Sequence, residues 1–171
     1  GSGRLIRGGP LMTRPTHMLA DGSLVYPDGY DSADLTPLPA GYWDAADFER
    51  ARADKWVMVR AIRDRLIDAG LHVDGIGTFD SDAAARQNVL GAASAAMAAQ
   101  AAGAPFEVVW TLRDNSRATL DAAQIIAVQI AGVTRIDALH GHAADLRVLI
   151  QSATDVTSLA AIDIDGGWPE F

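Results

Sequence analysis

Hydrophobic and polar positions change period along this chain, and each change predicts an element. Up to residue 41 there is no helical period. Glycine and proline punctuate throughout, and "LADGSLVYPDGY" carries a turn signal at Asp21-Gly22, the short run Leu24-Val25-Tyr26 and a second turn at Pro27-Asp28-Gly29. Residues 1–42 therefore read as an extended arm or linker with one small hairpin, and 43–171 as the folded domain. From Trp43 onward Trp56, Val59, Ile62, Leu66 and Ala69 recur at spacings of three and four, one face of a helix that Gly70 would stop. "LHVDGIGTFDSD" predicts one short edge strand, and Ser81 or Asp82 a helix cap. The helix that follows is mostly alanine, which has high propensity but contributes little per residue on burial. Methyl groups allow close backbone approach, so this helix is expected in the middle of a bundle, with Val89, Leu90 and Met97 as its larger contacts.

The pattern then switches to alternation. Phe106, Val108, Trp110 and Leu112 share one face of a strand, Glu107, Val109 and Thr111 the other, and "RDNS" predicts a hairpin with Asp114-Asn115 at its tip. With the earlier strand it would form a sheet of three. Asp121 followed by Gln124 has capping-box spacing, and the element it opens runs to Ser152 unless Gly132 or Gly141 breaks it. Within it Ile136, Leu139, Ala143, Leu146 and Ile150 repeat at about 3.5 residues, a coiled-coil-like seam. Upstream, Ile125, Ile126, Val128, Ile130 and Val133 are apolar nearly all round. Such a rod exceeds what a thin domain can cover, so self-association through this seam is expected. A short helix capped by Asp155 or Thr154 precedes "DGGWPEF". There Gly166-Gly167 would reverse the chain so that Trp168, stiffened by Pro169, fills a gap beside the alanine-rich helix. The fold class is α+β, mainly helical: a small helical bundle with a long C-terminal helix and a two- to three-stranded antiparallel hairpin sheet. Trp56, Phe79, Trp110, Trp168 and Pro169 are its expected core and structural positions.

Composition narrows the chemistry. The net charge of −8 over 171 residues argues against a phosphate-neutralising surface and hence against a nucleic-acid partner. Lys55 is the sole lysine, and Glu49, Glu107 and Glu170 the sole glutamates; there is no cysteine, which excludes disulfides and thiolate chemistry. The absence of an uninterrupted apolar run of about 18 residues argues against membrane insertion. His140 and His142 are two apart, on different sides of a helix, so they cannot share a metal as an i,i+4 pair does. Aspartates two apart in "FDSD" and "DIDGG" lack the glycine and distal acid of a calcium loop. "GIGTFD" lacks the third glycine of the dinucleotide fingerprint, and no serine sits in a strand-turn-helix elbow. No catalytic residue, metal site or cofactor is expected. Asp114 and Asn115 remain as an exposed loop that could contact a ligand.

Taken in order, "DKWVMVRAIRDRLI", "GIGTFDSDAAARQNV", "VVWTLRDNSRATLDAAQI", the long helix and "GWP" resemble an uncharacterised domain family of bacteriophage tails, known only as a domain of unknown function. The resemblance covers about residues 43–169 and is carried by Phe79-Asp80, Trp110 with Asp114-Asn115, and Trp168-Pro169. Members occur among tail-fibre and tail-tip genes. The resemblance implies a virion protein assembled in the bacterial host cytoplasm, with other tail proteins as partners and a homo-oligomer, most naturally the trimer that suits fibres. It carries no catalytic residue with it. Two alternatives follow. One is a host-receptor or carbohydrate-binding module using Asp114-Asn115 with Tyr26, Tyr30, Tyr42 and Trp43. The other is a chaperone for fibre assembly.

Overall fold

A computed structural model describes residues 17–25, 32–39 and 41–170. Two compact units divide at Asp47/Phe48. In the first, β1 (His17–Met18), β2 (Leu24–Val25) and β3 (Thr36–Pro37) form a small antiparallel sheet in the order β2-β1-β3, with a 3-10 turn at Ser32–Asp34. Asp21 and Gly22 make the β1–β2 turn as expected, the Asp21 carboxylate accepting the Ser23 N–H at 2.9 Å. Tyr26, Pro27-Asp28-Gly29 and Tyr30 lie outside the described residues.

The helix α1 (Tyr42–Ile67) spans this division in sequence and belongs to the second unit from Phe48 onward. The second unit then contains β4 (Leu71–Val73), β5 (Gly77–Phe79), α2 (Ala83–Ala101), β6 (Glu107–Thr111), β7 (Arg117–Asp121), α3 (Ala122–Ser152) and α4 (Val156–Ala160). The mainly helical α+β class is as the periodicity predicts, and the caps are read correctly. Asp82 caps α2, Asp121 and Gln124 form a reciprocal capping box on α3, and Asp155 with Ser158 does the same on α4. Neither Gly132 nor Gly141 interrupts α3, whose 31 residues make a rod about 46 Å long.

Three expectations are corrected. "LHVDGIGTFDSD" is a complete hairpin, β4–β5, not one edge strand. It does not join β6–β7 into one three-stranded ladder; a single backbone bond, Arg113 N–H to the Thr78 carbonyl at 2.9 Å, links the two hairpins. Gly77 makes their approach possible, because its φ of +134° disfavours a side chain and a Cβ there would stand 2.7 Å from Leu112. And α2 is not central: only Val89, Ala93 and Ala96 are buried on it, while Leu90 and Met97 face outward.

Two cores form along α3. At its N-terminal half Phe79, Leu112, Leu120, Ile125 and Val128 pack with the alanines of α2, and Trp110 leans on Phe79 with ring centroids 6.1 Å apart. At its C-terminal half Ala143, Leu146 and Ile150 pack with Val59 of α1, Leu159 of α4 and Ile164, with Trp56 and Trp168 at the edge.

Candidate functional site

The residues that sequence singled out are placed as follows. The seam is covered by the chain itself. Leu139, Ala143, Leu146 and Ile150 are buried, the last three against Val59 of α1 in the same molecule, and Ile136 is half-buried. They are a core stripe rather than an oligomer seam. A period of 3.5 to 3.6 says that one face is covered, not whose helix covers it. Phe79 is fully buried, while Trp56, Trp110, Trp168 and Pro169 are half-buried.

The opening in the C-terminal half that receives Trp168 is not beside the alanine-rich helix. The indole lies against His142 of α3, ring centroids 4.6 Å apart and nearly edge-on, and its Nε1–H donates to the Ile164 carbonyl at 2.9 Å. His142 Nε2 stands 3.2 Å from the Gly166 carbonyl oxygen, which only accepts, so the ring donates there. Gly167 has φ +76°, and a Cβ on it would press on His142 at 3.0 Å. Asp163 closes the turn by accepting the N–H groups of Asp165 (3.0 Å) and Gly166 (3.1 Å). These bonds, with the nearby Lys55 charge, hold its carboxyl below the ordinary value of 3.8. His142 and Asp163 thus belong to a tail latch together with Trp168; sequence reading had placed neither there.

Four basic side chains serve helix ends, where the last carbonyls lack partners. At the end of α1, Arg135 donates to the Leu66 carbonyl at 2.7 Å and to that of Gly70, and Arg113 reaches Ala69. Ser81 Oγ donates to Ile67 at 2.6 Å while accepting the Gly70 N–H at 2.8 Å. Partial burial lowers the Arg135 pKa from its ordinary value. Arg52 reaches the end of α3, Nε to the Ile150 carbonyl at 3.2 Å and Nη2 to that of Gln151. Lys55 reaches the end of α4, 2.7 Å from the Leu159 carbonyl. Cations at C-termini also suit the helix dipole.

The hairpin tip is exposed, but its polar groups are engaged. The Asp114 carboxylate accepts both the Ser116 hydroxyl (2.6 Å) and the Ser116 N–H (2.9 Å), and these bonds lower its pKa below 3.8. Asn115 takes φ +65° to close the turn. Tyr42 and Trp43 begin α1, but their side chains lie outside the described residues, so the aromatic surface that would accompany this tip is not defined. Among the described residues no group of three His, Asp or Glu is placed to hold a metal.

What stands out is the uncovered face of α3. Only 17% of its most apolar 18-residue stretch is buried, and by length and composition alone α3 could cross a membrane. The helix holds no uninterrupted apolar run, because Gln124, Gln129, Thr134, Arg135 and Asp137 punctuate it. Ile130, Val133, Val148 and Leu149 are each more than half exposed. Beside Val133, a groove of about 200 Å³ opens between α2 and α3, with Leu90 and Ile136 on its walls, Phe79 and Val128 beneath, and Arg86 and Arg135 at its rim. Arg86 is already paired with Asp68 at 2.8 Å and bonded to the Ser81 carbonyl. The groove is therefore an apolar slot whose nearest cations are engaged, suited to burying side chains more than to binding an anion.

A family model described as a domain of unknown function, DUF4376, matches residues 50–165. No curated protein and no solved structure matches the chain.

Proposed function

The chain belongs to the DUF4376 family, and from that premise we propose that it is a non-catalytic structural and interaction module of a bacteriophage tail, placed in a fibre, the tail tip or an accessory protein. It assembles in the host cytoplasm, resides in the virion, and works by associating with copies of itself and with other tail proteins. The observation that carries this is the exposed side of α3: a rod anchored at both ends, by the Asp121 capping box and by Arg52, whose outer apolar residues no element of the second unit covers. Exposed apolar surface of that extent marks an association surface in a folded protein. The residues that carry the phage-tail resemblance, Phe79, Trp110 and Trp168, hold the scaffold that presents this rod.

Host-receptor or glycan binding at Asp114-Asn115 is the weaker reading, because the Asp114 carboxylate is already committed to Ser116. Quantitative mass spectrometry of purified virions tests the proposal. The expected result is the chain present at a fixed copy number per tail. Presence only in infected-cell lysate, bound to unassembled fibre, would instead identify an assembly chaperone and overturn the structural role.

A further inference from the structure

The four large apolar side chains exposed on α3 fall into two pairs. Ile130 (61%) and Val133 (62%) lie toward one end, Val148 (63%) and Leu149 (51%) toward the other. Between them the outer face is small or polar. Ile130, Thr134, Asp137, Gly141, Ala144 and Val148 are all exposed and step by four, three, four, three and four residues. This is a sustained 3.5-residue seam on the side opposite the buried Val128, Leu139, Ala143 and Leu146. The order is also nearly palindromic about residue 139: apolar, small, Asp137, Gly141, small, apolar.

We propose that a second copy of this chain docks on this face, with its α3 antiparallel to the first, about a two-fold axis beside residue 139. In that pairing Ile130 of one protomer meets Val148 of the other, twice over, and Val133 and Leu149 border the seam on its two flanks. Thr134 lies opposite the partner's Ala144. Asp137 lies opposite the partner's Gly141, a position with open space around it, and within reach of the partner's His140, a hydrogen-bond donor. Charge distribution decides against the alternative. A parallel pair or a parallel trimer would bring every Asp137 against its own copy at the axis, where like charges repel in a partly desolvated site. The trimer expected from fibre architecture also relied on Ile136 to Ile150 as the seam, and α1 of the same chain covers most of that stripe. The contact is modest in length, about 27 Å from Ile130 to Val148 at ~1.5 Å per residue, so the dimer belongs to the small, concentration-dependent class.

This deepens the self-association part of the proposed function, and it is tested separately from the tail location. Because the chain has no cysteine, Ile130→Cys and Val148→Cys supply unique thiols. Each variant alone and an equimolar mixture are treated with a short bismaleimide reagent, after thermal unfolding has shown that both fold as the parent does. The antiparallel pair yields cross-linked dimer in the mixture and little from either variant alone, since identical positions then stand about 27 Å apart along the axis. Efficient cross-linking of either variant alone overturns the proposal in favour of a parallel arrangement. Sedimentation of the unmodified chain should show a concentration-dependent dimer. Val148→Arg should raise its Kd about tenfold or more by forcing an unpaired charge into the contact, and Val109→Arg on the exposed face of β6 should leave it unchanged. A strict monomer at sub-millimolar concentration overturns the pairing even if the chain is found in virions. A dimer from a chain absent from virions leaves the pairing standing and removes the tail reading.

Discussion

The two halves of α3 are packed by opposite means. Along the N-terminal half, α2 presents Ala93 and Ala96, both fully buried, and the backbones of the two helices run close together. Along the C-terminal half, α1 makes no comparable backbone approach to α3. The wider space is bridged by side chains: Trp56 of α1, with the guanidinium of Arg147 of α3 5.2 Å from its ring centre, and Arg52 of α1, which lies 5.1 Å from the ring centre of Phe48 on its own helix and reaches the Ile150 carbonyl of α3. Methyl-lined packing leaves no slack, because nothing in the contact can change rotamer. Packing through long side chains tolerates adjustment, and it brings cations to helix ends that short residues could not reach. The same contrast shows where three of the described arginines go: Arg52, Arg113 and Arg135 donate to carbonyls at the ends of α3 and α1.

The contrast is broken most severely by removing one large residue from each half. Phe79→Ala should cost about 3–5 kcal/mol, since the ring is 1% exposed in the close-packed half and Trp110 cannot follow it inward. Trp168→Ala should cost roughly 2 kcal/mol, because the indole is half-buried and its loss frees one hydrogen bond at Ile164. Urea unfolding of both variants checks the order, and equal costs would mean that the C-terminal half is as tightly determined as the other.

A subtler probe adds volume instead. Ala93→Leu should destabilise by about 1–3 kcal/mol, as α2 and α3 must separate to admit it. Ala143→Leu, at a position equally buried but facing the bridged gap beside Val59, should cost about half as much or less, because neighbouring long side chains can shift. Thermal unfolding of the two variants side by side would sharpen or erase the distinction.

How much of this was legible in the sequence follows the range of the interactions. The caps at Asp82, Asp121 and Asp155, the tip at Asp114-Asn115 and the full extent of α3 are written in residues at most a few positions apart, and these were readable. The β4–β5 hairpin was under-read because strands of three residues around Gly75 and Gly77 carry almost no alternation. Leu90 and Met97 have the right spacing for a buried face and yet are exposed, since periodicity marks an apolar side without supplying its cover. The seam Ile136 to Ile150 failed for the complementary reason: its cover is α1, whose Val59 lies far upstream in sequence. Arg52 meets carbonyls 98 residues away, and Arg135 one 65 residues back, and no local pattern announces such a bond. The outer repeat from Ile130 to Val148 was always present in the sequence. It acquires meaning only once the opposite face is known to be occupied.

Acidification probes the smallest expected difference between the halves. The C-terminal half ends in two turns whose carboxylates accept backbone N–H groups. Asp155 is lowered chiefly by the Ser158 N–H, and Asp163 by those of Asp165 and Gly166 with help from Lys55. Both folded-state values lie below the ordinary 3.8, which the unfolded chain retains. A group depressed on folding binds more protons when unfolded, so its contribution is fully present above 3.8 and is lost as pH falls through the depressed value. Both groups are fully solvent-exposed, so the loss should appear as local fraying of residues 155–168 ahead of global unfolding. Amide exchange at low pH should then rise at Leu159 and Ile164 before it rises at Leu120 or Ile125 in the other core. Asp163→Asn retains an oxygen that can accept the same two N–H bonds but has no charge to titrate, so it should reduce the acid sensitivity of the tail while leaving its protection at neutral pH nearly intact. If the tail of that variant frays at low pH as fully as the parent's, the latch is held by the Trp168–His142 contact rather than by the Asp163 turn. The tail would then be closed by ring packing and not by a titratable turn.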